Sequence, residues 1–153
     1  MGLKALVLFI LPVVLAVAGC GGSDSSTRSV AMDTGFNAPL GYTLFSAGSG
    51  FSSRGVEVAL QSDGRIIVMG SAVNGADDDL LLVRYTSTGQ LDTSFGTNGF
   101  VRYGDFDRDR GLGLAIIPAD DAIIVTGYAT INGGRELLVL KFSSSGVLMK
   151  ELL

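Results

Sequence analysis

The chain repeats itself. Laid over itself with an offset of 57, residues 63–91 fall on residues 120–148, with identities at Asp63, Ile66, Ile67, Val68, Gly70, Ala72, Leu80, Leu81, Gly89 and Leu91. Val83/Leu140, Arg84/Lys141 and Tyr85/Phe142 are conservative pairs. Upstream the offset is 56, which sets Arg54-Gly55 on Arg110-Gly111 and Ala59 on Ala115 and makes Ala119 a one-residue insertion. A third echo comes earlier, where Met32-Asp33-Thr34-Gly35-Phe36 matches Leu91-Asp92-Thr93-Ser94-Phe95. A repeat of this period is the signature of a stacked or radial architecture, in preference to one irregular core.

Each unit reads as β-structure. Val56, Val58 and Leu60 alternate with Glu57, Ala59 and Gln61, the period of a strand with one greasier face. Ser62-Asp63-Gly64-Arg65 supplies a tight turn, because Asp and Gly accept the positive φ that hairpins need. Residues 66–70 and 80–85 are short apolar runs rich in β-formers, as expected of strands covered on both faces. The polar stretch 71–79 between them reads as a loop with Asp77-Asp78-Asp79 at its tip, 86–90 as a second turn and 99–103 as a fourth strand. The second unit follows with strands at 112–117, 122–129, 136–142 and 147–152. The expectation is an all-β fold of two four-stranded propeller-like blades, an incomplete propeller or a sandwich-like stack.

Three strings in order, Val58-Ala-Leu-Gln-Ser-Asp-Gly-Arg-Ile-Ile-Val-Met-Gly70, Leu82-Val-Arg-Tyr85 and Gly89-Gln-Leu-Asp-Thr-Ser-Phe-Gly96, resemble the delta-60 repeats of bacterial proteins. The resemblance covers roughly residues 32–153. It implies a β-propeller-like repeat protein, usually secreted or surface-associated, of a family with no general biochemical activity assigned. The second copy departs from the pattern, with Asp120-Asp121 for Asp63-Gly64 and Leu148-Met149-Lys150 for Leu91-Asp92-Thr93. The repeat residues have structural explanations. Asp33 and Asp92 suit Asx-type turns, Phe36 and Phe95 suit plugs for the blade core, and Gly70 and Gly127 suit strand ends where a side chain would obstruct a bend or the neighbouring backbone.

The first residues read as an address. Lys4 precedes a mostly apolar run from Ala5 to Ala18, interrupted by Pro12 and closed by small residues, as in a secretory leader. The run is shorter than the roughly 20 residues a membrane-spanning helix needs. Val17-Ala18-Gly19-Cys20 resembles the lipobox of bacterial lipoproteins, and Cys20 is the one cysteine in the chain. The resemblance implies cleavage before Cys20 and a diacylglycerol on its sulfur, with two or three acyl chains holding the protein to a membrane. Gly21 after the cysteine implies, by the sorting rules of enteric bacteria, the outer membrane. The expected organisation is a leader at 1–19, lipidated Cys20 with a polar tether to residue 31, and repeats over 32–153, divided at about 88/89.

Composition narrows function. The chain has no histidine, which excludes a Ser/His/Asp triad, a His general base and His-bound zinc or haem. Loss of the leader removes Lys4 and leaves ten basic against fifteen acidic side chains, so nucleic acid is not an expected partner. No cofactor is expected. The alternate carboxylates Asp105, Asp107 and Asp109 are the set able to converge on Ca²⁺, although Arg108 and Arg110 can neutralise them instead. These features frame three readings: a lipid-anchored binding or scaffolding module without catalysis, a truncated remnant of a longer repeat array, and a carboxylate- or metal-dependent propeller hydrolase or lyase. Propellers typically have four to eight blades. Two blades leave terminal apolar faces, so a homo-oligomer or another repeat protein is an expected partner.

Overall fold

The computed structural model describes residues 32–75 and 77–152, and the expected leader, Cys20 and tether lie outside them. Eight strands follow in order: β1 (Ser52–Leu60), β2 (Ile66–Asn74), β3 (Asp77–Tyr85), β4 (Phe100–Tyr103), β5 (Asp109–Ile116), β6 (Ile123–Ile131), β7 (Gly134–Phe142) and β8 (Leu148–Leu152). They form two antiparallel four-stranded sheets, ordered β1-β2-β3-β4 and β5-β6-β7-β8. The 88/89 division of the repeat therefore falls inside the first sheet, between β3 and β4.

The β1–β2 turn is closed by Gly64 N donating to Gln61 O at 3.0 Å and by Asp63 Oδ1 accepting from Arg65 N at 2.9 Å. Gly64 sits at φ +81°. The corresponding turn of the second sheet is one residue longer, closed by Asp121 N donating to Ile117 O at 2.9 Å, and it does without the glycine. Asp121 takes φ +54°, which a short polar side chain tolerates, and Asp120 Oδ1 receives Ala122 N at 3.1 Å as Asp63 receives Arg65.

Two expectations are corrected. Residues 71–79 are not a loop: β2 runs on to Asn74, β3 begins at Asp77, and the aspartates open a strand. Asp78 and Asp79 are buried there because arginines from elsewhere in the chain reach them, as described below. Gly70 and Gly127 are not strand ends either. Each lies mid-strand opposite a β-bulge of its neighbour, at Gly55/Glu57 and Gly111/Gly113. A Cβ on Gly70 would run into the Arg54 carbonyl, and one on Gly127 into the Arg110 carbonyl, so the obstructing neighbour is the adjacent strand.

Strand alternation gives each sheet two faces. Ile67, Met69, Leu80 and Leu82, the leading face of the first sheet, pack on Ile123, Val125, Leu138, Leu140 and Phe142, the trailing face of the second, to make the main core. The trailing face of the first sheet, with Ile66, Val68, Leu81, Val83 and Tyr85, is covered in part by residues preceding β1. Phe45 meets Phe100 edge-on there, with centroids 5.3 Å apart. The sequence echo in this segment is also structural. Phe36 stands against Gly89 as Phe95 stands against Gly146, and Asn37 N donates to Thr88 O at 2.7 Å as Gly96 N donates to Ser145 O at 2.9 Å. Phe95, 0% exposed, thus plugs the seam between two sheets and not the interior of one blade.

Candidate functional site

The polar chemistry gathers at the two ends of the seam. At the end carrying the β-turns, β3 directs Arg84 inward. Its Nε donates to Asp92 Oδ2 at 2.9 Å, Nη2 to Ser94 Oγ at 3.0 Å, and Nη1 to Ser144 O of the second sheet at 2.7 Å and to Gln61 Oε1 at 3.4 Å. The guanidinium carbon lies 4.8 Å from the centroid of Phe95. Gln61 Nε2 reaches Asp121 O and Ser144 O at 3.2 and 3.1 Å. Asp121 in turn accepts from Ser62 N at 2.9 Å and Ser62 Oγ at 2.6 Å. One planar donor fork and one primary amide therefore tie the turns of both sheets together.

Asp92 is the acceptor that makes this possible. Its Oδ1 receives Ser94 N and Oγ at 3.1 and 2.6 Å in the expected Asx turn, and Oδ2 also receives Arg65 Nε at 3.0 Å. Burial alone would raise its pKa, but the Ser94 hydroxyl and amide, with Arg84 and Arg65, outweigh burial and hold it below the usual carboxylate value. Asp121 is also held low, by the Ser62 hydroxyl and amide. Asp33 makes the simpler version, with Oδ1 receiving Gly35 N at 2.9 Å.

At the other end lie the carboxylates singled out for calcium. They do not converge. Asp105 and Asp107 are exposed, whereas Asp109, the first residue of β5, is 0% exposed and accepts Phe106 N on Oδ2 at 3.0 Å. Among the described residues no group of three His, Cys, Asp or Glu side chains is placed to hold a metal ion. Alternation along the sequence had set the three carboxylates on one side. The start of β5 turns Asp109 into the protein, while its neighbours stay in the loop. The acids that do meet here are Asp78, which accepts Arg110 Nε at 2.6 Å, and Asp79, which pairs with Arg102 Nε at 3.3 Å.

Burial raises the pKa of Asp109 against the pull of the Phe106 and Asp105 amides, and Asp105 and Asp79 add to the rise. Its Oδ1 is buried without a hydrogen-bond partner. Asp79 is raised by burial too, opposed by Arg102. A carboxyl whose native pKa lies above the unfolded value of 3.8 keeps its proton longer in the native state, so stability falls as pH rises through that window. Asp109→Asn removes the buried charge and is expected to be more stable than the parent at pH 7.5. The gain over the parent closes as pH approaches 3.8, and a melting series over pH measures it. A variant no more stable than the parent at pH 7.5 contradicts the assignment.

Sequence reasoning missed Arg84, Gln61 and Asp121 as seam residues. The signals were the Arg84/Lys141 pair, a cation kept inside an apolar run, and the replacement of a turn glycine by Asp121.

Two four-stranded antiparallel sheets packed face to face and carrying one repeated sequence pattern have the architecture of incomplete propeller-like blades. The family described as "Domain of unknown function (DUF5122) beta-propeller" matches residues 61–95, the stretch from Gln61 through β2 and β3 to the Phe95 plug. No curated protein and no solved structure matches the chain.

Proposed function

We propose that this protein is a lipid-anchored, non-enzymatic module of the bacterial cell envelope, built from delta-60-type repeats, that binds or scaffolds other molecules through its sheet faces and loops. The observation that carries the anchor is Val17-Ala18-Gly19-Cys20 behind an apolar leader, with a polar stretch before the repeats to serve as tether. The outer membrane is the proposed site, from Gly21. Support for scaffolding over catalysis comes from what the polar groups do. Arg84, Asp92, Gln61 and Asp121 bond to one another, to Ser62, Ser94 and Arg65 and to turn carbonyls, and Asp78 and Asp79 pair with Arg110 and Arg102. The acidic balance favours neither nucleic acid nor other polyanions as a ligand.

Intact-mass measurement of the chain recovered from bacterial membranes tests the anchor. The expected product begins at Cys20 and carries the added mass of a diacylglycerol, and Cys20→Ser leaves the leader uncleaved. A chain beginning at Cys20 without lipid overturns this reading.

A further inference from the structure

We propose that the leading face of the second sheet docks on the trailing face of the first sheet of a second copy of this chain, so that the seam inside one molecule recurs between molecules. The occupant is identified by the repeat itself. Among the described residues the seam joins a leading face to a trailing face, and one further example of each is present.

The trailing faces correspond position by position: Val58 to Leu114, Leu60 to Ile116, Ile66 to Ile123 and Val68 to Val125. On the second sheet, Leu114 and Ile116 are half-buried against the core formed with the first sheet. On the first sheet, Val58 and Leu60 hold the same places with nothing over them, at 62% and 64% exposed. Gly111 shows the same contrast. A Cβ there would meet Met69 and Leu80 of the facing sheet, while at its counterpart Gly55 only Val68 of its own sheet lies nearby.

The leading faces correspond likewise. Ile124, Leu137 and Val139 stand where Ile67, Leu80 and Leu82 stand, yet Leu80 is buried and Leu137 is 71% exposed. Lys141 takes the place of Arg84, which addresses the 143–146 turn of the facing sheet, and docking would set Lys141 against the equivalent 86–89 turn of the incoming copy. Residues preceding β1 cover the β3 side of this trailing face, with Phe45 against Leu81, Val83 and Tyr85 and edge-on to Phe100, and leave the β1 residues Val58 and Leu60 exposed to the incoming copy.

Such a contact is heterologous, with different patches meeting head to tail, and it closes into a ring when the rotation per copy allows. With the two sheets of the described residues contributed by each copy and four to eight blades per propeller, closure takes about two to four copies. The inference deepens the scaffolding reading by naming its partner, and it depends on neither the lipid nor any other ligand.

The test uses the full chain in bacterial membranes with Leu137 replaced by photoreactive p-benzoylphenylalanine. Illumination is expected to join two copies, with the adduct mapping by mass spectrometry to residues 55–68 of the second copy. Val58→Asp in the acceptor copy is expected to cut that adduct at least tenfold while leaving the thermal midpoint unchanged, because the position is exposed in the single chain. No adduct, an adduct to Leu137 or its neighbours on the other copy's leading face, or adducts only to a different protein would each overturn the proposal. Failure of lipidation at Cys20 with the adduct intact rejects the anchor alone.

Discussion

Phe95→Ala is expected to destabilise the repeat unit by about 3–5 kcal/mol, the range for removing a fully buried aromatic side chain that its surroundings cannot refill. Domains of this size are stable by about 5–15 kcal/mol, so the loss takes a large share of the total. The collapse that would soften the cost is blocked on two sides. The ring lies against Gly146, whose φ of +87° is fixed by its turn, and under the Arg84 guanidinium, which is held by its own hydrogen bonds. Because Phe95 belongs to the core shared by both sheets, the variant is expected to unfold in a single transition at lower urea, with the two sheets lost together. Phe36→Ala supplies the comparison. It occupies the equivalent place against Gly89 with no complete sheet on its other side, and is half-buried. Its cost is expected near 1 kcal/mol. Equal losses at Phe36 and Phe95 would show that the plug works inside a blade and not across the seam.

That contrast marks where the sequence was readable. The repeat offset located the second unit's strands to within a few residues, since identical apolar runs at one spacing constrain each other, although its 88/89 division separated β4 from the sheet it completes. The Asp63-Gly64 turn and the Asx turn at Asp92 were legible because their hydrogen bonds run to amides two residues away. What escaped depended on groups distant in sequence. Asp77, Asp78 and Asp79 resemble a solvated tip until Arg102 and Arg110 arrive from later in the chain, and pairing with them lets Asp78 and Asp79 be buried in a strand while Asp77 stays exposed. Gly70 resembles a terminator because its reason, the bulged backbone of β1 pressed against it, lies in the neighbouring strand. The greasier face of β1 was read correctly as a pattern, but Val58 and Leu60 turn it to solvent. Alternation specifies which residues share a face, and only the number of neighbouring sheets decides whether the face is covered. Asp109 is the same case in reverse: alternate carboxylates suggested a shared ligand, and strand initiation separated them.

Arg84→Met is the second large effect, expected at about 3–5 kcal/mol because it breaks a buried charged network from one side. Methionine matches much of the length and fills the space over Phe95, so the loss reports the missing donors more than a cavity. Ser144 O keeps Gln61, and Asp92 keeps Ser94 and Arg65, but the direct charged link between the β3 strand and the second sheet's turn is gone. The pH dependence separates this account from simple repacking. Asp92 has a lowered pKa in the native state, so its stabilisation is present above the unfolded value of 3.8 and is lost as pH falls through the native one. Without Arg84 the lowering shrinks, and the deficit of Arg84→Met relative to the parent is expected to narrow in acid. Thermal midpoints at pH 7 and across the acid limb measure it; a deficit that stays constant with pH would assign the loss to packing. Arg84→Lys refines the result. An ammonium can pair with Asp92 or reach Ser144 O but lacks the planar fork that serves Asp92, Ser94 and Ser144 together, so it should recover only part of the stability. Lysine is also what the second unit carries at this place, in Lys141, where the facing turn would belong to another chain. The weaker, single-point cation at that position is consistent with a contact between copies that forms after each chain has folded, while the forked arginine fixes the seam that folding itself requires.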